Sequence, residues 1–248
     1  MLLELKGQGY SESTLKPMGR KLRGLARNVN LQDPEAVRTY TADQHWSSGH
    51  KGNLVNAYDH YLRSQGLSWE KPVYERVDQI QRIPRLEDIN KIISGASPKY
   101  ALAWSMIRDT GLRPIEVSWL RVKDVDLESG QIYPRTAKHG AARTLRLKTS
   151  TLASLKAYLT KEELGQNDQL FHSLKQIKSN WCRTRNRVAR KPGEPELRTI
   201  RLYDLRRYFA TVTYRKTKDI VYVQRLLGHK NIQNTLRYLG VVDFFMLK

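Results

Sequence analysis

Four residues carry side chains that together could cut a phosphodiester: Arg113, Arg206, His229 and Tyr238. The stretch from Val223 to Tyr238 (VQRLLGHKNIQNTLRY) puts an imidazole and a phenol on one short segment. A phenol has an ordinary pKa of about 10, so as a nucleophile at neutral pH it needs cations or proton acceptors packed around its oxygen. Two upstream segments can supply the cations. One is Thr110-Gly111-Leu112-Arg113-Pro114-Ile115-Glu116; the other runs from Leu202 to Thr211 and contains Tyr203, Asp204, Arg206 and Arg207. A phosphodiester anion repels nucleophiles, so cutting it without a metal requires fixed positive charge where the transition-state oxygens gain theirs. The planar donor forks of Arg113 and Arg206 suit non-bridging oxygens. Taken alone, Arg113 and Glu116 could equally be a structural pair that supports a corner between two helices.

The ordered set T-G-L-R-P-x-E at 110–116, x-D-L-R-R-x-F-A-T at 203–211, and L-G-H at 227–229 with Tyr238 nine residues on resembles the tyrosine recombinase (phage integrase) family. The resemblance covers most of Ile83 to Tyr238. Each motif is weak singly, and the set at intervals of 93, 23 and 9 residues is specific jointly. It implies that Tyr238 attacks phosphorus, leaving a 3′-phosphotyrosine link and a free 5′-hydroxyl, with neither metal nor ATP. Arg113 and Arg206 would then be phosphate ligands and Glu116 the orienter of Arg113. His229 would hydrogen-bond the phosphate or assist proton transfer. Lys138, followed five residues later by Arg143, resembles the family's hairpin lysine, a general acid for the departing 5′ oxygen.

The same resemblance implies double-stranded DNA with a specific site as partner. It also implies a monomer that assembles to a homotetramer on DNA, because exchanging two duplexes takes four cleavages and each chain holds one such tyrosine. There is one departure. Tyr203 stands at the first position of the usual H-x-x-R box, and a phenol is not a base poised near pH 7. Tyr238 is also followed by Leu239-Gly240 where T-H is frequent.

Composition points the same way. The 248 residues hold 44 Lys and Arg against 24 Asp and Glu, a formal charge of +20, which raises the local concentration of a polyanion and speeds encounter with it. The single cysteine, Cys182, excludes an intramolecular disulfide. No His/Cys cluster has zinc-ligand spacing, so no metal or other cofactor is expected. No apolar run approaches 18 residues and Met1-Leu2-Leu3 is broken at once by Glu4 and Lys6, so neither signal peptide nor membrane span is expected. The expected setting is cytoplasmic and DNA-associated. Three other readings share parts of this pattern: a type IB topoisomerase activity, a non-catalytic DNA-binding regulator on the same scaffold, and a metal-dependent nuclease, which lacks a carboxylate cluster.

The elements that must position these residues read as mainly α with a small β-hairpin (α+β), in two domains. Residues 1–68 are expected to be a helical, DNA-clamping domain, 69–83 a linker in the stretch where the helical pattern lapses between Ser68 and Pro84, and 84–248 the catalytic domain. In the first domain Leu15, Met18, Leu22, Leu25 and Val29 keep a helical period after a cap at Ser11. Lys16, Arg20, Arg23 and Arg27 lie off that stripe as candidate phosphate contacts. Asp33-Pro34-Glu35 starts a second helix ending near Tyr40, and a third runs from about Lys51 to Ser64.

In the second domain helices are expected over Leu86–Ile93 and Tyr100–Asp109, then a hairpin from Leu127 to Leu147 turning at His139-Gly140. A helix capped by Thr149 or Ser150 follows. Lys175–Lys191 is a basic helix with Ile177, Trp181 and Val188 inward and Lys178, Arg183, Arg185 and Arg187 as candidate DNA contacts. Pro192 to Pro195 is a loop. The apolar tail from Leu239 to Leu247 either finishes its own core or docks on a neighbour.

Overall fold

In the computed structural model, residues 1–75, 82–138, 140–171, 173–190 and 193–239 are described. The chain divides into two compact units, Met1–Gln79 and Ile80–Lys248.

Among its described residues the first unit holds four helices, α1 (Leu2–Gly7), α2 (Glu12–Ala26), α3 (Pro34–Asp43) and α4 (Ser48–Ser64). The last three match the amphipathic stretches; α1 was not expected. Six residues are too few for a periodic signal, and a helix that short depends on packing. Leu5 is buried, and Leu2 lies so close to Gly19 of α2 that an added Cβ there would sit 3.1 Å from its Cδ1.

Helix ends follow their caps. The Asp33 carboxylate accepts from the Glu35 and Ala36 amides at 3.1 and 3.0 Å, and α3 continues to Asp43, past Tyr40. The Ser47 hydroxyl accepts from the His50 amide, so α4 begins at Ser48 and not at Lys51. Ser11 does stand at the start of α2, but its hydroxyl bonds to those of Ser13 and Thr14, not to the backbone.

Leu22, Leu25, Val37, Leu54, Tyr58 and Leu62 form the core of this unit, and the Tyr58 hydroxyl donates to the Leu31 carbonyl at 2.9 Å. Trp69 joins that core: its indole donates to Asp59 Oδ1 at 3.2 Å and its ring meets Tyr58 edge-on. The stretch expected as linker therefore begins inside the first unit, and its residues 76–81 lie outside the described ones.

The second unit contains α5 (Leu86–Ser94), α6 (Pro98–Thr110), α7 (Pro114–Trp119), β1 (Gln131–Ile132), β2 (Leu145–Arg146), α8 (Thr149–Glu162), α9 (Leu174–Val188), α10 (Asp204–Thr217), α11 (Ile220–Leu227) and α12 (Gln233–Leu239). Ile89, Ile92, Trp104, Met106, Ile107, Leu112, Val117, Leu155 and Trp181 are fully buried in one core, with Trp104 and Trp181 edge to face at 4.9 Å. A smaller cluster of Ala210, Val223, Leu227 and Leu239 joins α10, α11 and α12.

The hairpin is shorter than its alternation suggests. Strands β1 and β2 pair antiparallel over only two residues each, Gln131 opposite Arg146 and Ile132 opposite Leu145. Pro134, two residues past the end of β1, has no N–H to offer the ladder. Beyond it the amides of Ala137 and Ala141 leave the hairpin altogether, donating to Glu116 Oε1 and to the Gly228 carbonyl. His139, at the expected turn, lies outside the described residues, as does Pro192.

Helix α8 is not capped by Thr149 or Ser150. Lys148 precedes it without a side-chain cap bond, and the Thr151 hydroxyl instead donates to buried Asp109, which also pairs with Lys148 at 2.9 Å.

Candidate active site

Arg113 is placed by the residues on either side of it. Gly111 ends α6 at φ +69°, and a Cβ there would lie 2.4 Å from Phe209 Cδ1, so both backbone and space demand glycine. Pro114 then opens α7 with a φ suited to a first helical turn. At this corner the Arg113 amide donates to Glu116 Oε2 and its guanidinium to Glu116 Oε1, both at 2.8 Å.

Glu116 is fully buried and serves more than one partner. Arg143 donates to its Oε2 at 2.6 Å, the Ala137 amide to Oε1 at 3.2 Å, and Arg206 lies 4.0 Å away. Burial works to raise this carboxyl's pKa. The hydrogen bond and charge of Arg143, with the Arg113 and Ala137 amides, outweigh that and hold it below the usual range. Three guanidiniums against one carboxylate leave the site in excess positive charge.

Arg206, on α10, is 0% exposed. Its guanidinium donates to the carbonyls of Gly111 at 2.5 Å and Leu227 at 2.7 Å, tying the ends of α6 and α11 together. It also lies 3.0 Å from His229 Nε2. Arginine has no acceptor, so Nε2 accepts and the neutral imidazole donates from Nδ1 to the Thr235 hydroxyl, 3.0 Å away. Burial first, then the charges of Arg206, Arg113 and Arg143, push the His229 pKa down to about 3.

The consequence for stability has a definite sign. Between pH 6.5 and about 3 the unfolded chain takes up a proton that folded His229 refuses. The contribution is complete above pH 6.5 and is lost as pH falls, by at most about 1.4 kcal/mol per unit. Thermal melts of wild type and His229→Asn should therefore draw together as pH is lowered from 6.5 to 4; parallel curves would refute the assignment.

Tyr238 lies on α12, half-buried, with its hydroxyl donating to the Tyr203 hydroxyl at 2.9 Å. Its ring is 5.2 Å from that of His229, and the guanidiniums of Arg206 and Arg207 lie 6.0 and 5.9 Å from its centre. Burial and then Tyr203 push the phenol up to about 12. Lys138 is exposed at φ +55° and makes no hydrogen bond or ion pair among the described residues. Its loop is held beside Arg113: a Cβ on Gly140 would stand 3.3 Å from the Arg113 guanidinium. Lys148 and Lys123 are engaged elsewhere, with Asp109 and with Asn167.

The structure thus brings together Arg113, Glu116, Tyr203, Arg206, His229 and Tyr238, and adds Arg143. In the sequence Arg143 stands out only by its spacing from Lys138, because nothing in a charged hairpin marks which arginine turns inward. Its side chain is 4% exposed.

The surface arginines separate into two kinds. Arg20 and Arg23 on α2 and Arg27 just past its end are exposed without ion-pair partners among the described residues, while Lys16 pairs with Glu12 at 2.9 Å. On α9, Lys178 and Arg183 are likewise exposed and unpaired. Arg185 instead donates to the Ile200 carbonyl and to Asn186, and Arg187 to the Gly95 carbonyl, so these two fasten α9 to its own unit.

Among the described residues no group of three or more His, Cys, Asp or Glu could hold a metal ion, and no helix is long and apolar enough to cross a membrane. Residues 78–243 match the phage integrase family model. Tyrosine recombinase XerA of Saccharolobus solfataricus is 32% identical over 190 residues, 76% of this chain and 62% of that protein, so the match spans less than two thirds of that relative. TnP I resolvase of Bacillus thuringiensis is 31% identical over 235 residues, 88% of this chain and 81% of its own. The fold is similar to that of the Tn1549 transposon integrase solved with transposon right end DNA, at a TM-score of 0.73 and 16% identity over 95% of this chain and 91% of that one.

Proposed function

The chain belongs to the phage integrase family, and from that we propose that it is a site-specific tyrosine recombinase, cleaving and rejoining double-stranded DNA through a 3′-phosphotyrosine link. The observation that carries this reading is the convergence on one corner of Arg113, Arg206 and the His229–Tyr238 segment, three separate stretches of the chain. Arg206 Nε and Arg143 Nε are buried donors without partners among the described residues. Buried donors are rarely left so, and a phosphate oxygen is the ligand this chemistry invites.

In the reaction Tyr238 Oη bonds to phosphorus as the bond to the 5′ oxygen breaks. Arg113 and Arg206 hold the non-bridging oxygens, where their charge needs no reorganisation as the transition state forms. Lys138 protonates the departing 5′ oxygen. His229, kept neutral, gives Arg206 a fixed acceptor and so a fixed orientation. Glu116 does the same for Arg113. Resealing is this sequence reversed by the hydroxyl of another strand, so the phosphodiester energy is conserved in the tyrosyl link. On DNA, four chains supply the four tyrosines that exchange of two duplexes requires, while the chain alone is a monomer. Arg20, Arg23 and Arg27 in the first unit and Lys178 and Arg183 in the second serve as phosphate contacts.

The test is incubation with nicked suicide duplexes from a pooled site library, in the presence of chelator. A denaturant-stable adduct whose nuclease-trimmed nucleotide maps to the Tyr238 peptide is expected. Tight binding with no adduct, or an adduct on another residue, would sink the proposal.

A further inference from the structure

We propose that Tyr203 is the proton-relay partner of Tyr238, receiving the nucleophile's proton at its hydroxyl as its own proton passes to a non-bridging oxygen of the bound phosphate. The inference rests on the recombinase reading and assigns the step that reading leaves open: where the Tyr238 proton goes.

The geometry narrows the acceptors. His229 is the nearest imidazole, at 5.2 Å ring to ring, but both its nitrogens are engaged, Nε2 by Arg206 and Nδ1 by Thr235. The other groups facing the phenol are Arg206 and Arg207 from α10, which are donors only; Arg207 is itself paired with Asp204 at 3.2 Å. Glu116, the buried carboxylate of this corner, is taken up by Arg113 and Arg143. Tyr203 alone presents an oxygen within hydrogen-bond distance of Tyr238 Oη, at 2.9 Å, among the described residues.

A phenol is too weak a base to keep that proton, but a relay need not keep it. Tyr203 accepts one proton and releases another in the same step, so its charge is unchanged. The bond from Tyr238 Oη to phosphorus forms, the bond from phosphorus to the 5′ oxygen breaks, and Lys138 protonates that oxygen. Tyr203 is 37% exposed, so it is not sealed in the core. Because Tyr238 donates in the resting pair, the contact stabilises the neutral phenol and accounts for part of its raised pKa.

Two measurements on the intact chain test this. In the protein alone, carbon-13 NMR of ζ-labelled tyrosine, with Tyr238→Phe to assign the resonance, should show the Tyr238 pKa falling by about one unit in Tyr203→Phe, as one lost hydrogen bond requires. On suicide duplex, Tyr203→Phe should slow adduct formation by about 10²-fold with DNA binding unchanged. Tyr203→His, whose imidazole accepts the proton only when neutral, should restore the rate and make it fall below about pH 6.5, a dependence that the charge-neutral wild-type relay does not have. An unmoved Tyr238 titration, wild-type cleavage by Tyr203→Phe, or a pH profile unchanged in Tyr203→His would each overturn the relay. If wild type itself gives no adduct, the recombinase reading fails, and the NMR shift alone then decides whether the two phenols are paired.

Discussion

Arg206→Lys should slow formation of the Tyr238 adduct by roughly 10²–10³-fold, the loss seen when one preorganised donor is taken from a charged transition state. The charge survives the substitution; the geometry does not. Arg206 holds two carbonyls, Gly111 O and Leu227 O, and the imidazole of His229 with one rigid fork. A lysine ammonium on a flexible stem cannot reach all three at once. His229 then loses the donor that fixes its tautomer, and the ends of α6 and α11 lose a shared tie. Each carbonyl left bare in a buried site costs about 1–3 kcal/mol, so a lowered melting temperature accompanies the slower reaction. Single-turnover cleavage at saturating protein, read beside the melt, separates the two effects. A loss under tenfold in a well-folded variant would mean that positive charge alone suffices.

Glu116→Ala should destabilise the second unit by roughly 3–5 kcal/mol, the cost of removing one partner from a buried ion pair. The carboxylate anchors Arg113 and Arg143 and receives the Ala137 amide, so its loss leaves neighbouring guanidiniums facing each other without a counter-charge. It also loosens the loop carrying Lys138, because Arg143 and the Ala137 amide tie that loop to Glu116 on α7. Glu116→Gln keeps the shape and part of the hydrogen bonding and should fall between wild type and Ala. Urea unfolding gives the stability. Cleavage of a duplex with a 5′-bridging sulfur, whose thiolate leaves without protonation, tests the loop: Glu116→Gln should be relatively less impaired there than on ordinary DNA. Equal impairment on both substrates would separate Glu116 from the placement of Lys138.

Much of this arrangement is legible in the chain itself, where local chemistry decides. The corner at Arg113 follows from Gly111 and Pro114, the one able to take positive φ, the other suited to a first turn. The start of α3 follows Asp33, and the amphipathic stretches became α2, α4, α5 and α9, although α4 begins at Ser48, ahead of the expected Lys51. Order and spacing were enough to single out Tyr238, His229, Arg206 and Arg113, and to mark Tyr203 as the residue out of pattern. Helix α1 was missed because six residues carry no period.

Tertiary structure decided the rest, since it depends on which distant groups share a buried space. Of two similar arginines on α9, Arg183 faces solvent and Arg185 holds the Ile200 carbonyl. Arg143 turns inward because Glu116, buried and charged, has acceptor capacity that Arg113 alone does not fill. The hairpin stops after two pairs because its amides find better acceptors across the site than across the ladder. And the sequence determined that Tyr203 replaces an imidazole, while only the fold, by filling both nitrogens of His229 and setting two phenols 2.9 Å apart, gave that replacement a partner.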